Sequence, residues 1–407
     1  MRRLSLSFAA LALSLISVSI APQHSVAAPL PAAYSAAAGG DLAAFDLNLT
    51  SGPDLVGARL AVSQSTMNGG PTPTAKASAS NVVAAATGLG IAAQSATQTA
   101  PPDHPNPATG TLGGGSAPGL LSLGLLDTSV QARSQAIACR LGGGEMANSQ
   151  VQSTGAILNP TAVGILADTG DSETSGVVAI FPEPASDPLN RAIFSTATGN
   201  ITSSGFLNGG VDVAIAGNPT LRAIATGEPG GADVSYTPGT VTVNTTTGTS
   251  ATLDVGDSQT FPVPGGQVEI TVNEPTVIES PNGQTATGTV AVVTAVITRI
   301  GTGGATLATA TVDLLPLRAS AVAPPGGIDC PPPPVLNTPT DGSTLTDSTP
   351  TFTGTATPGA DVDIFVDGDP IGTTTANGAG GFSFTPATPI PSGEHQASAR
   401  ASVNGAT

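Results

Sequence analysis

Glycine and proline punctuate this chain so densely that it has little room for a long helix. Its 407 residues include 51 glycines and 36 prolines. In a helix interior a glycine costs about 1 kcal/mol and a proline about 3 kcal/mol relative to alanine. Between the breaks lie short apolar runs, such as residues 55–62, 176–181 and 193–198. Short strands separated by turn residues predict an all-β architecture, a sandwich or barrel.

The finer pattern agrees. Val211, Val213 and Ile215 alternate with Asp212 and Ala214, and Val268, Ile270 and Val272 alternate with polar neighbours. Residues 241–244 repeat the pattern briefly. Side chains along a strand point to opposite faces in turn, so each set presents one apolar face and one polar face. Residues 285–300 begin with the same alternation and pass from Ala291 into a continuous apolar run. Such a run predicts entry into the core or a β-bulge. Aromatic residues make up 3% of the chain and tryptophan is absent, so the interior is built of Ala, Val, Leu and Ile. At roughly 25 cal/mol per Å² of buried apolar area, such a core stabilises less per residue than an aromatic one.

The N-terminus carries an export signal. Arg2 and Arg3 precede an apolar stretch from Leu4 to Ile20, and Ser25, Val26 and Ala27 supply small residues for cleavage. This layout predicts a signal peptide over residues 1–27, and its apolar part is shorter than the roughly 20 residues that a bilayer span requires. No later run is long and apolar enough to predict a transmembrane helix. Cleavage would remove two arginines and no acid, leaving nine basic residues against 28 acidic ones. A nucleic-acid partner calls for basic patches that displace counterions, so nucleic acid is excluded as the expected partner. An extracellular ligand or a cell-envelope component is expected instead, and no cofactor is implied.

The two cysteines, Cys139 and Cys330, both follow the signal. In an exported chain an isolated pair predicts one disulfide. Two cysteines with no histidine nearby make a poor zinc site.

Composition divides the rest. Residues 28–40 are rich in Ala, Pro and Gly and read as a flexible leader. A β-rich unit is expected over 41–330. Within it, residues 64–117, dominated by Ala, Ser, Thr, Gly and Pro, read as a low-complexity insertion of loops, with a weak helix possible over 81–96. Four consecutive prolines at 331–334 form a semi-rigid spacer. Residues 335–407 then form a separate unit.

That last unit carries an ordered set of motifs. A proline-rich entry is followed by Thr351-Phe352-Thr353-Gly354-Thr355 and by Pro358-Gly359-Ala360. Val362-Asp363-Ile364-Phe365-Val366-Asp367-Gly368, Gly381-Phe382-Ser383-Phe384 and Pro391-Ser392-Gly393-Glu394-His395 come next. Val362, Ile364 and Val366 share a strand face, and Asp367-Gly368 signals a type I′ hairpin. Ala397, Ala399, Ala401 and Val403 are expected to form a last inward face. In order and spacing these residues closely resemble the bacterial Ig-like domains of surface proteins and secreted multidomain enzymes. The resemblance implies a small β-sandwich, and it implies one further strand beyond the turn at Thr407. Residues 41–330 more loosely resemble the β-rich ectodomains of secreted actinobacterial choice-of-anchor surface proteins, which imply no catalytic residues.

Each catalytic motif fails on its own terms. Asp168-Thr169-Gly170, after an apolar approach, imitates an aspartic protease. That chemistry requires two carboxylates sharing a proton, and no second such motif is present, so a turn ending a strand is expected. Gly88-Leu89-Gly90-Ile91-Ala92-Ala93 fits a dinucleotide fingerprint, but that site requires a strand before it, a helix after it and an acid about 20 residues on. The first acid downstream, Asp103, lies in a proline-rich loop. His104 beside Asp103 has no nucleophile motif with it. Asp361, Asp363, Asp367 and Asp369 are the candidate ligands for calcium, a cation that prefers oxygen, although their spacing is not that of an EF-hand loop. A solvated acidic face is the competing reading. The expected function is therefore a secreted or cell-surface, non-catalytic structural or adhesion-type protein with an Ig-like module. The alternative is a secreted hydrolase with an accessory Ig-like domain, in which two acids from distant strands converge.

Overall fold

The computed structural model describes residues 28–29, 32–50, 55–84, 92–134, 143–161, 163–182, 190–330 and 332–402. Among these residues there is no helix, and every regular element is a strand. Up to residue 330 the strands form two large sheets that share one hydrophobic core.

The first sheet has 16 strands. Its spine runs through Ala108–Leu112, Leu126–Ala132, Gly144–Ser153, Ser172–Pro182 and Asn190–Phe206. The 17-residue strand Asn190–Phe206 is the hub, pairing also with Ala167–Thr169, Val211–Ala216, Thr220–Ala225 and Ile328–Asp329. The second sheet has ten strands. At its centre Thr285–Ile300 pairs with Thr306–Val322, which pairs with Ser35–Gly40; that strand in turn pairs with Leu55–Asn68.

The alternating segments sit where their period places them. Val211, Val213 and Ile215 are buried between the sheets, as are Val268, Ile270 and Val272. The expected irregularity in Thr285–Ile300 is present: Val292 and Val293 are both buried, and opposite them Leu315 adopts φ +50. The pairing skips Val292 and Leu315 without a change of register, and the register shift of this strand pair comes later, between Arg299 and Ile300.

Two compositional readings are corrected. Residues 35–40, expected in a flexible leader, form a central strand whose Ala36 and Ala38 are buried. Residues 64–117, expected as loops, contain Thr74–Ala84, Ser95–Ala100, Ala108–Leu112 and Gly115–Ala117. The helix considered over 81–96 is not formed at its described residues: 81–84 end one strand, and 95–96 begin the next. The reason is common to both corrections. Small side chains look like linker composition, yet they suit strands that pack closely against a second sheet.

Gly176 shows how close that packing is. A Cβ added there would lie 2.5 Å from the carbonyl oxygen of Ala38 on the opposite sheet. Around this contact the interior carries hydroxyls: Ser65 Oγ donates to Gly176 O at 2.7 Å and also bonds Ser149 Oγ at 3.0 Å. A core without large aromatics brings backbones together, and buried serines satisfy the carbonyl that is exposed there.

The C-terminal unit has two three-stranded sheets over its own small core of Phe352, Val362, Ile364, Val366 and Phe382. Asp367 and Gly368 take φ +55 and +89 in the expected hairpin turn. In Ala397–Ser402, Ala399 and Ala401 pack on this core while Ala397 is exposed. The first 27 residues and Val403 lie outside the described residues.

Candidate functional site

The outer face of the first sheet carries a groove of about 730 Å³. Its floor is one cross-strand row. Register sets Thr111 beside Asp127, Asp127 beside Gln152, Gln152 beside Glu173 and Glu173 beside Asn200. The inward residues of these strands are apolar or small, so period-2 alternation turns the polar set outward. The row is internally bonded: Thr111 Oγ1 donates to Asp127 at 2.8 Å, and Gln150 and Gln152 donate to Glu173 at 2.5 and 3.1 Å. Asn200 Nδ2 donates to Asn218 Oδ1 at 2.7 Å. The groove is thus a pre-ordered surface of carboxylates, amides and hydroxyls.

Asp168-Thr169-Gly170 runs across the end of a strand. Asp168 lies within strand Ala167–Thr169, and its Oδ1 accepts the Gly205 N–H at 2.9 Å. Gly205 also pairs with Asp212, so two carboxylates flank a residue with no side chain. Burial first, and then the Asp168 charge, pushes the Asp212 carboxyl above its ordinary value. The other catalytic motifs stay apart. His104 bonds the Thr99 carbonyl, while Asp103 pairs with Arg133 at 3.0 Å. Residues 88–91 of the glycine motif lie outside the described residues, and 92–93 have no regular structure. Cys330 is 1% exposed and its thiol is not free. Cys139 lies outside the described residues.

Of the four candidate calcium ligands in the C-terminal unit, Asp361, Asp363 and Asp367 serve separate local bonds. Asp363 accepts from Thr373 at 2.7 Å and Asp361 from Thr375 at 3.1 Å, each across one strand pair. Asp367 accepts the Gln396 N–H at 2.8 Å and binds His395 Nδ1 at 2.7 Å. Among the described residues no three His, Cys, Asp or Glu side chains gather closely enough to hold a metal. Two facing three-stranded sheets, a Phe352/Phe382 core and this hairpin reproduce the arrangement that the motifs implied. Residues 337–406 also match the model of the bacterial Ig-like domain family. This segment is a bacterial Ig-like domain. No curated protein matches the chain.

Within the Ig-like domain, His395 is doubly accepted: Nδ1 faces Asp367, and Nε2 lies 2.8 Å from the Pro391 carbonyl. A neutral imidazole has one N–H and satisfies one of these acceptors, whereas the imidazolium satisfies both. The Asp367 bond first, then the Pro391 carbonyl, raises His395 above its ordinary 6.5. The Gln396 N–H first, then His395, holds Asp367 below 3.8. A raised histidine stabilises fully below about pH 6.5 and ceases to do so as pH climbs through its folded value. The lowered aspartate contributes above about pH 3.8, and that contribution fades as pH falls through its folded value. Proton NMR should therefore place the His395 midpoint above 6.5, and Asp367→Asn should return it toward 6.5. An unshifted wild-type midpoint would contradict the pairing.

Proposed function

We propose that the chain is an extracellular, non-catalytic binding protein of adhesion type. In this reading the large sandwich contacts a hydroxyl-rich polymer through its groove, and the Ig-like domain serves as spacer or second contact. Bacterial Ig-like domains are modules of surface or secreted proteins, which supports the location. The observation that carries the binding role is the row Asp127–Gln152–Glu173–Asn200: an open strip of acceptors and donors held in register, as an extended polar ligand requires. The charge balance argues against nucleic acid and anionic surfaces. No helix among the described residues is long and apolar enough to cross a membrane.

Co-sedimentation with isolated cell-wall polysaccharide tests the reading. Wild-type protein should pellet saturably. Asp127→Ala and Glu173→Ala should each weaken retention about tenfold or more, since a hydrogen bond to a charged group is worth ~1.5–3 kcal/mol. Equal retention of wild type and the double variant would overturn the proposal. The hydrolase alternative has one specific observation in its favour, the Asp168–Asp212 pair across Gly205. It requires release of reducing ends by wild type that Asp212→Asn abolishes.

For the cysteines we propose the bridge Cys139–Cys330. Before Cys139 in the chain, strand Leu126–Ala132 ends opposite Ala147, and after it Gly144 pairs with Ile180. Cys330 follows Asp329, which pairs with Asn190 on the strand beside Ile180. The described residues nearest Cys139 in the chain and those beside Cys330 thus lie at the same end of the sheet, which supports the pairing.

A further inference from the structure

The second sheet has its own polar feature, unrelated to the groove. Asp41 is 0% exposed, and two arginines converge on it from different strands. Arg59 takes both carboxylate oxygens, Nε to Oδ2 at 2.8 Å and Nη2 to Oδ1 at 2.7 Å. Arg318 Nη1 adds a third bond to Oδ2 at 3.0 Å. A bidentate arginine already neutralises a carboxylate. The second guanidinium leaves the cluster with one positive charge more than Asp41 balances.

That surplus faces a pocket. Arg59 and Arg318 are 34% and 45% exposed, and both line a cavity of about 270 Å³. Arg59 Nη1 and Arg318 Nε and Nη2 have no acceptor among the described residues. Between Arg318 and Gln64 the register places Gly39, so the middle of the face is a trough bordered by longer side chains. No acid lines the pocket. The two rows of the sheet through Gly39 and Ala37 contain no acid either, and the second includes Lys76, the chain's single lysine. In a chain of formal charge −17, an acid-free strip with a surplus cation and unused planar donors is a local inversion of sign. Arginine's fork matches carboxylate, phosphate and sulfate oxygens.

We propose that Arg59 and Arg318 form an oxyanion-binding site that takes one carboxylate, phosphate or sulfate group of an extracellular ligand, with Asp41 fixing the two guanidinium planes. The cavity lies just below the 300–1,000 Å³ usual for sites of drug-sized ligands, a size for one charged group on a small body. Thr289, across from Arg318, and Gln64 supply neutral contacts to that body.

Calorimetric titration of the full chain with inorganic phosphate, sulfate, glucuronate and glucose tests this. Saturable binding of the three anions in the millimolar range or tighter, weakened by added salt, and none of glucose, is expected. Equal affinities would show that the oxyanion alone is read. Tighter glucuronate would assign a role to the neutral rim. Arg318→Gln, which leaves the Arg59–Asp41 pair intact, should weaken binding at least tenfold. Should that variant fold poorly, Thr289→Glu supplies a tethered carboxylate to the same donors and should compete at least as strongly. Absence of saturation by every anion below about 10 mM, or wild-type affinity in folded Thr289→Glu, would overturn the site.

Discussion

Gly176→Val is expected to destabilise the large sandwich by about 3 kcal/mol, at the upper end of the usual cost of overpacking. Any Cβ at this position would lie at 2.5 Å from the Ala38 carbonyl of the facing sheet, and backbone cannot swing aside as a side chain does. Relief requires the sheets to separate, which would also break the bonds from Ser65 and Ser149 to the Gly176 carbonyl. Hydroxyls left buried without partners add to the cost. With ~2–4 °C of midpoint per kcal/mol for a domain somewhat smaller than this one, thermal melting should fall by several degrees. Gly303→Ala is the matched control: nothing lies within 4 Å of its added carbon, so its change should stay within about 0.5 kcal/mol. A Gly176→Val protein that melts with wild type would refute the close approach.

The second large effect concerns the proposed bridge. Cys330→Ser should cost as much as 5 kcal/mol, the chain-entropy figure for closing a loop of about 190 residues. Reduction of the wild type should move its midpoint toward that of the variant. The direct check is mass spectrometry after alkylation without reductant: neither cysteine should be labelled. Labelling of both thiols in folded protein would dismiss the bridge and its stabilisation together.

The sequence made one level of this structure legible and concealed the next. Alternation in 211–215 and 268–272 announced strands and their buried faces because that information is local. The Ig-like domain was readable for a similar reason: its turn at Asp367-Gly368 and its Phe352 and Phe382 anchors lie close together in the chain. Ser35–Gly40 was misread because alanine and glycine carry no periodic signal, although they are what a tight sheet interface accepts. The candidate sites were hidden by distance. Thr111, Asp127, Gln152, Glu173 and Asn200 become a row only through four strand registers. Asp41 and Arg318 are 277 residues apart. Each polar residue looked like an ordinary outward position, and pairing alone showed which would stand side by side. The same applies to Asp168 and Asp212, whose meeting depends on a glycine between them.

The central position of Ser35–Gly40 also sets an order in time. One neighbour, Leu55–Asn68, follows it closely, but the other, Thr306–Val322, arrives some 280 residues later. Closing so long a loop precedes any reward from the contacts it makes, and contacts of this separation slow folding. The early strand therefore waits with one edge unpaired while most of the unit is made. Its short length and lack of large apolar groups suit it to that interval, since long hydrophobic edges recruit other chains. The linker-like composition that disguised this strand is thus what keeps it harmless until its last partner arrives.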